Sequence, residues 1–266
     1  MSVLRSLADN SVDLIYTDPP FNTGTKQTGR RIKVTSKPSG DRKGFGGRRY
    51  LSEIISVKSY PDSFDNYLGF LESRLQEIYR ILAEHGTLYL HLDYREVHYV
   101  KILCDSIFGR ESFLNEIIWA YDYGGRPKRK WPPKHDTILV YVRNIEQYKF
   151  YTDAIDRIPY MAPGLVGPEK AAKGKLPTDT WWHTIVPSKG KERTGYPTQK
   201  PEALAERIIR ASSQPGDLLL DPFAGSGTFG MVAAKLRRRF VLVDDNPDAI
   251  EVMRQRLPSP TQFLKN

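Results

Sequence analysis

The sequence predicts an α/β fold: a doubly wound, mostly parallel, Rossmann-like sheet. Short apolar runs such as Val12 to Thr17 and Leu218 to Leu220 have the length and composition of strands buried on both faces. Between such runs lie segments with apolar residues at helical spacing, as in Tyr67 to Leu82. Strands that alternate with helices in this way favour a parallel sheet covered by helices on both sides.

The individual elements follow from these two patterns and from turn residues at their ends. The predicted strands are Val12 to Thr17, Thr87 to Leu92, Glu116 to Ala120, Thr137 to Val142, Leu218 to Leu220 and Phe240 to Val243. The predicted helices are Val3 to Ala8, Tyr67 to Leu82, Val97 to Phe108, Pro201 to Ser212, Thr228 to Leu236 and Pro247 to Leu257. Proline opens two of these helices, in the first turn where its missing N–H is not needed.

Two stretches show neither pattern. Residues 22–59 are polar and rich in Gly, Lys and Arg, which predicts a mobile loop. Residues 144–194 are irregular and contain many Pro, Gly and Trp, which predicts an inserted recognition segment. We therefore divide the chain into residues 1–143, 144–194 and 195–266.

Composition limits the partners and the compartment. Lys and Arg number 40 against 31 Asp and Glu, a net charge of +9, which suits a polyanion but also a merely solvated basic surface. The single cysteine, Cys104, excludes an internal disulfide and a cysteine metal cage, and we predict no metal site. The sequence has no long apolar run and no signal peptide, so we expect a cytoplasmic protein without a membrane contact.

A glycine turn follows the strand at Leu218. In Asp221 to Thr228, Gly225 and Gly227 allow a ligand to approach the backbone closely. Asp244 ends the next strand, where an acid meets ribose hydroxyls in nucleotide-binding folds, although Asp245 competes for this role. No Lys follows the second glycine, so the turn is not a phosphate-binding P-loop. The pattern predicts a nucleoside site.

A second turn, Asp18-Pro19-Pro20-Phe21, also follows a buried strand and is expected at the same edge of the sheet. The prolines leave a rigid turn lined with acceptors. Phe21 can stack on a base while Asp18 and the Pro19 carbonyl accept the hydrogens of its exocyclic amine. Holding those hydrogens frees the nitrogen lone pair, which is otherwise delocalised into the ring, for attack on an electrophile.

Together the two turns resemble the DNA amino-methyltransferase family, which has Asp/Asn/Ser-Pro-Pro-aromatic and Phe-x-Gly-x-Gly motifs. Their order, with the Asp-Pro-Pro-Phe turn first, resembles the beta group, as does Thr198-Gln199-Lys200-Pro201. The resemblance implies S-adenosylmethionine as cofactor and Asp18, Pro19, Pro20 and Phe21 as catalytic residues. It implies the cofactor-binding residues Thr198, Lys200, Asp221, Phe223, Gly225, Ser226, Gly227, Thr228 and Asp244.

The resemblance implies methylation of the adenine amine (N6) in duplex DNA after base flipping. The cytosine amine (N4) is the close alternative, because both amines present the same geometry to Asp18. RNA or protein-amide methylation and a decayed DNA-binding module are more distant alternatives. Methylation of a cytosine ring carbon is excluded, because Cys104 lies in a helix without a preceding proline. A second copy of the chain, in a homodimer, and a cognate restriction endonuclease are possible partners that the sequence does not decide.

One departure from the family concerns the N-terminus. Members of the beta group usually begin with an extra strand that ends in Gly-Asp, whereas Met1 falls directly before the first predicted helix. We therefore expect the strand Phe240 to Val243 to have an unpaired side. Our hypothesis is that the natural start lies upstream.

Basic residues form two candidate DNA contacts. The predicted phosphate-binding residues are Lys26, Arg30, Arg31, Arg48, Arg49, Arg126, Lys128, Arg129 and Lys130. The first group is equally compatible with a solvated loop. Trp131 is available for stacking, while Trp181, Trp182 and His183 serve either recognition or a small local core. His135-Asp136 looks like a dyad, but we assign it no chemistry.

Overall fold

The computed structural model describes residues 1–43, 47 and 49–264. The described helices are α1 (Ser2–Ser6), α2 (Tyr67–Ile81), α3 (Val97–Phe108), α4 (Pro168–Lys173), α5 (Glu202–Ser212), α6 (Thr228–Lys235) and α7 (Pro247–Arg256). The described strands are β1 (Val12–Thr17), β2 (Gln27–Ser36), β3 (Arg42–Lys43), β4 (Arg49–Tyr60), β5 (Leu82–Leu92), β6 (Phe113–Ala120), β7 (His135–Val142), β8 (Thr180–Trp182), β9 (Leu218–Asp221) and β10 (Arg239–Leu242).

A seven-stranded sheet in the order β10-β9-β1-β5-β7-β6-β8 forms the centre of the molecule. The pairs β1–β5, β1–β9, β9–β10 and β6–β8 are parallel, and β7 runs antiparallel to β5 and β6. This arrangement confirms the predicted doubly wound, mostly parallel sheet. In the described part of the chain β10 is an edge strand, as expected for Phe240 to Val243.

Strand β1 is buried on both faces, which is why it reads as an unbroken apolar run. Ile15 packs into a cluster with α2 and α3, and Leu14 and Tyr16 pack into a second cluster with α5 and α6. The N-terminus of α2 is capped by Asn66, whose side-chain oxygen accepts a 2.9 Å hydrogen bond from the Gly69 N–H. These two layers hold the carboxyl ends of β1, β9 and β10 side by side.

The prediction of a loop at residues 22–59 is wrong. β2, β3 and β4 form a separate antiparallel sheet in which β2 pairs with β4 from Gln27 opposite Tyr60 to Ser36 opposite Tyr50. Val34, Ile54, Ile55 and Val57 of these strands are exposed, so the sequence lacks the alternation of a half-buried strand. Backbone pairing holds the segment, helped by Lys33 opposite Glu53.

The segment 144–194 is largely irregular, as predicted, but it also contributes α4 and β8. β8 extends the central sheet beside β6, with Trp181 buried (8% exposed) and Trp182 78% exposed. Trp181 therefore packs into the core of the main domain rather than into a local core of its own segment. Among the described residues, none of the helices combines the length and the apolarity that crossing a membrane would require.

Candidate active site

The Asp-Pro-Pro-Phe turn (Asp18 to Phe21) and the glycine turn (Asp221 to Thr228) line one cleft at the carboxyl edge of the sheet. Its cavity has a volume of about 310 Å³, and both turns contribute to its wall. They meet because β1 and β9 are parallel neighbours, with Ile15 opposite Leu220. The sheet thus places Asp18 and Asp221, which end adjacent strands, at one rim.

The Asp-Pro-Pro-Phe turn is pinned from both sides. The Tyr67 hydroxyl of α2 donates a 2.6 Å hydrogen bond to the Pro20 carbonyl. The next residue, Asn22, has a φ of 54° and donates its N–H to a carboxylate oxygen of Asp62 at 2.7 Å. The neighbouring structure therefore holds Asp18 and Phe21 in place before any ligand arrives.

Lys200 joins the two halves of the site. Its ammonium nitrogen lies 2.9 Å and 2.8 Å from the two carboxylate oxygens of Asp18 and 4.9 Å from the centre of the Phe21 ring. The Lys200 carbonyl accepts a 3.1 Å hydrogen bond from the Thr228 hydroxyl, at the end of the glycine turn. The structure thus brings Lys200, predicted at the cofactor, onto the carboxylate of Asp18, predicted to be catalytic.

The glycine turn has the backbone shape that the sequence predicts. Gly225 and Gly227 have φ values of 49° and 71°, in the left-handed region that favours glycine. A Cβ on Gly225 would lie 3.3 Å from the Tyr196 ring, and one on Gly227 would lie 2.8 Å from Met253. A side chain at either position would strain the turn, and one at Gly225 would also narrow the cleft.

Asp244 supports the glycine turn directly. One carboxylate oxygen accepts the Gly225 N–H at 2.7 Å, and the other accepts the Asn246 N–H at 2.9 Å. Burial raises the pKa of Asp244, although these backbone hydrogen bonds oppose the rise. Asp245 also lines the cleft, but Asp244 holds the turn.

Asp221 is a deeply buried acid of the cleft. It is 3% exposed, and burial raises its pKa well above the ordinary value. A hydrogen bond from the Phe223 N–H at 3.1 Å opposes this, while the charges of Asp18 and Asp244 raise the pKa further. Cationic or hydroxyl-bearing ligand groups would relieve this repulsion.

Ser226 and Thr228 are buried, and their hydroxyls are engaged within the protein. Arg256 of α7 donates to Ser226 Oγ at 3.3 Å and to Thr228 Oγ1 at 2.8 Å, and the same guanidinium pairs with Glu202 of α5. These hydroxyls anchor the start of α6 to its neighbours. The structure therefore ties both residues to α6, α7 and α5. Both also line the cleft, and their predicted contacts with the cofactor stay a prediction.

Sequence reasoning missed a buried polar network beneath Phe21. The Tyr16 hydroxyl lies 2.8 Å from His91 Nδ1, His91 Nε2 lies 3.1 Å from an Asp136 oxygen, and the Tyr121 hydroxyl donates to the other oxygen at 3.2 Å. Burial acts to raise the pKa of Asp136, but the His91 hydrogen bond lowers it below the ordinary value. A histidine within the apolar run of β5 is the signal that could have indicated this network.

Tyr60 and Tyr196 form a wall of the cleft that the motifs did not indicate. Their rings stack with centres 6.4 Å apart, and the Tyr60 hydroxyl lies 3.1 Å from Thr198 Oγ1. Tyr60 ends β4, so the small sheet is attached to the cleft at this point. Thr198, predicted at the cofactor, lies on the same wall.

Comparison with known proteins decides the family. The family model for N6/N4 DNA methylases matches residues 12–255. The type II methyltransferase M.HpaI of Haemophilus parainfluenzae is 34% identical over 259 residues, covering 97% of this chain and 72% of that protein. The DNA adenine methyltransferase YhdJ of Escherichia coli K12 is 29% identical over 276 residues, covering 99% and 82%.

The chain belongs to the DNA methylase family. It is an S-adenosylmethionine-dependent DNA methyltransferase of the group that modifies exocyclic base amines, and the resemblance seen in its motifs is confirmed.

Solved structures agree with this fold. The PvuII DNA methyltransferase (cytosine-N4-specific) has a TM-score of 0.63 at 16% identity and covers 97% of this chain and 84% of that one. TTHA0409 of Thermus thermophilus, complexed with S-adenosyl-L-methionine, has a TM-score of 0.55 at 22% identity and covers 96% and 90%. At these identities the likeness concerns the fold.

The cleft fits the cofactor of this family. Gly225 lines the cleft, where its missing Cβ leaves room beside the Tyr196 ring, and burial raises the pKa values of the nearby acids Asp221 and Asp244. A ligand with a sulfonium and ribose hydroxyls would satisfy both features. In the described part of the methylase, no cluster of three His, Cys, Asp or Glu side chains could hold a metal ion.

The predicted DNA contacts of the methylase lie in two places. Arg126, Lys128, Arg129 and Lys130 are exposed on the loop between β6 and β7, at the same edge of the sheet as Asp18. Lys134 holds this loop by donating to the carbonyls of residues 123, 124 and 125 at 2.7 to 3.0 Å. The exposed Trp131 shares the loop.

The second place is the small sheet. Lys26 and Arg49 are exposed beside or within it, and Arg30 and Arg31 lie in β2. Arg48, also predicted to contact DNA, lies outside the described residues. The basic residues of this sheet are therefore carried by paired strands, and their contacts with DNA stay a prediction.

Proposed function

We propose that this enzyme transfers a methyl group from S-adenosylmethionine to the N6 amine of adenine in specific sites of duplex DNA, by direct transfer to a flipped base. The observation that carries the proposal is the single cleft shared by Asp18, Phe21 and the glycine turn. An Asp-initiated turn favours adenine, and the likeness to the adenine methyltransferase YhdJ supports the same choice. The N4 amine of cytosine is the second candidate, because it presents the same two hydrogens to Asp18.

The protein's part in the reaction follows from the geometry. The Phe21 ring stacks on the base, and the Asp18 carboxylate accepts a hydrogen of the amine, which directs the nitrogen lone pair out of the ring. As the new N–C bond forms, the nitrogen gives up one proton, for which Asp18 is the nearest base. When bound, S-adenosylmethionine would supply an electrophilic methyl group, and the electron pair of the broken methyl–sulfur bond would leave with the sulfur. The residues that would hold it are Asp221, Asp244, Gly225 and Gly227.

Identification of the modified nucleoside tests the choice of base. After incubation of duplex DNA with the enzyme and a cofactor labelled in the methyl group, the DNA is digested and its nucleosides are separated. We expect the label in N6-methyladenine. Label in N4-methylcytosine would show that the target base is cytosine and not adenine. Label in RNA or protein but not in duplex DNA would contradict the proposal.

We further propose that residues 1–143 form the catalytic half, 144–194 the target-recognition segment and 195–266 the cofactor half. Relatives such as M.HpaI and M.ScaI are type II methyltransferases, which supports a cognate restriction endonuclease as partner. A homodimer stays a prediction.

The loop between β6 and β7 provides a test of DNA binding. Replacing Lys128, Arg129 and Lys130 together with glutamine should weaken binding at all sequences and reduce the slope of log K against log salt by about 2 to 3, since each phosphate contact contributes about 0.9. The slope is measured by fluorescence anisotropy with a labelled duplex between low and moderate salt.

A matched variant separates this effect from net charge. In this variant Arg110, Lys149 and Arg237 are replaced together with glutamine. The three charges that it loses lie away from the carboxyl edge of the sheet, which carries Asp18. This control should leave the slope nearly unchanged. Equal slopes for the two triple variants would exclude the loop as a phosphate-binding element.

A further inference from the structure

The ion pair between Lys200 and Asp18 is nearly closed off from solvent. The two side chains are 12% and 17% exposed, and the ammonium reaches both carboxylate oxygens, at 2.9 Å and 2.8 Å. The residues are 182 positions apart in the chain, so packing of the two halves creates this contact. Buried pairs are costly in desolvation and are weak sources of stability, which suggests a role in the site rather than in folding.

The surroundings of this pair are rich in acids. The titratable and charged groups in and around this part of the cleft are Tyr16, Tyr60, Asp62, Tyr67, Arg74, His91, Asp136, Lys200, Asp221 and Asp244. Of the cations, Arg74 is engaged with Phe70, where its guanidinium lies 3.7 Å from the ring centre and donates to the carbonyl. Lys200 is therefore the cation placed to offset the negative charge around Asp18.

The contact leaves Asp18 able to work. An ionised carboxylate has about four lone-pair sites, two on each oxygen. The Lys200 ammonium takes one direction on each oxygen, so each oxygen keeps a further direction for an incoming N–H.

We propose that Lys200 is a positioning residue that holds the carboxylate of Asp18 beside Phe21, where it accepts a hydrogen of the target amine. The proposal rests on the function proposed above, in which Asp18 accepts the amine hydrogen. It differs from the assignment of Lys200 to the cofactor, since here the lysine acts on the reaction through Asp18. The same role applies to either target base.

A split between turnover and binding distinguishes this role. In Lys200→Met both contacts that hold the Asp18 carboxylate are lost, so kcat for methyl transfer should fall by about tenfold to a hundredfold, the usual effect of losing one charge-assisted hydrogen bond. The KM for DNA should change by less than about threefold, because the lysine acts on the base only through Asp18.

Conservative and neutral variants complete the test. Lys200→Arg keeps the charge and should recover most of kcat, Lys200→Gln should recover less, and Lys191→Met removes an exposed lysine of the same segment as a control. Thermal melting establishes that each variant is folded. Total label transferred to DNA is counted whatever the base, so a wrong choice of base leaves this result readable.

Calorimetric titration with S-adenosylmethionine supplies a readout that does not depend on activity. We expect Lys200→Met to bind the cofactor within about threefold of wild type, a difference of under 1 kcal/mol. An unchanged kcat in Lys200→Met would overturn the proposal. A loss of cofactor affinity large enough to explain the whole loss of activity would also overturn it, because Lys200 would then act on the cofactor.

Discussion

Replacing Asp18 with alanine is expected to lower methyl transfer by about 10³-fold or more, while cofactor binding stays nearly unchanged. Asp18 follows β1, and its carboxylate, which we propose as the acceptor, pairs with Lys200 beside the Phe21 ring. Without it, the nitrogen lone pair stays delocalised into the base and the departing proton has no nearby acceptor. Single-turnover transfer of labelled methyl groups to DNA measures the first quantity, and calorimetry measures the second.

Two variants sharpen this experiment. Asp18→Asn keeps the shape and one acceptor oxygen but loses the charge, so it should keep more activity than the alanine variant and still fall well below wild type. Asp65→Ala removes an exposed acid near the start of α2 and should behave as wild type. If Asp18→Ala lost cofactor binding and melted at a much lower temperature, Asp18 would be a folding residue instead.

Replacing Asp244 with alanine is expected to weaken cofactor binding by about 10²-fold, an energy of roughly 3 kcal/mol. The carboxylate accepts the N–H groups of Gly225 and Asn246, so the variant loses the support of the glycine turn. It also loses the acid expected to meet the ribose hydroxyls. Buried hydrogen bonds to a charged group are each worth about 1.5 to 3 kcal/mol, which makes this magnitude reasonable.

Asp245 provides the matched control for this prediction. It is the next residue, carries the same carboxylate and also lines the cleft. Asp245→Ala should change cofactor affinity by only a few-fold, measured by the same calorimetric titration. A larger loss for Asp245→Ala than for Asp244→Ala would transfer the ribose role to Asp245.

The raised pKa of Asp244 supports this interpretation. Burial favours the protonated form, so the ionised carboxylate costs folding free energy at neutral pH. Because the pKa of Asp244 is raised in the folded state, its contribution to the free energy of unfolding is greatest at low pH. That contribution is lost as the pH rises through the raised pKa. A cost of this kind is commonly retained where a ligand needs the charge.

Prediction from the sequence succeeded where structure depends on near neighbours in the chain. Apolar runs at Val12 and Leu218 indicated buried strands, and the residues after them indicated turns at one edge. The glycines needed left-handed backbone, and Gly225 and Gly227 have it. Prediction from the sequence failed at residues 22–59. The described side chains of β2 and β4 are mostly exposed on both faces, so the sequence of these strands shows no clear alternation of apolar and polar residues.

By itself, then, the sequence determined the fold class, the family and the two turns, because burial periodicity and turn chemistry are local properties of the chain. The tertiary structure decided which groups meet: the ammonium of Lys200 with the carboxylate of Asp18, Arg256 with Ser226 and Thr228, and Tyr16 with His91. Such contacts join residues far apart in the chain, and their geometry follows from how the helices and the sheet pack. Local sequence patterns do not contain that information.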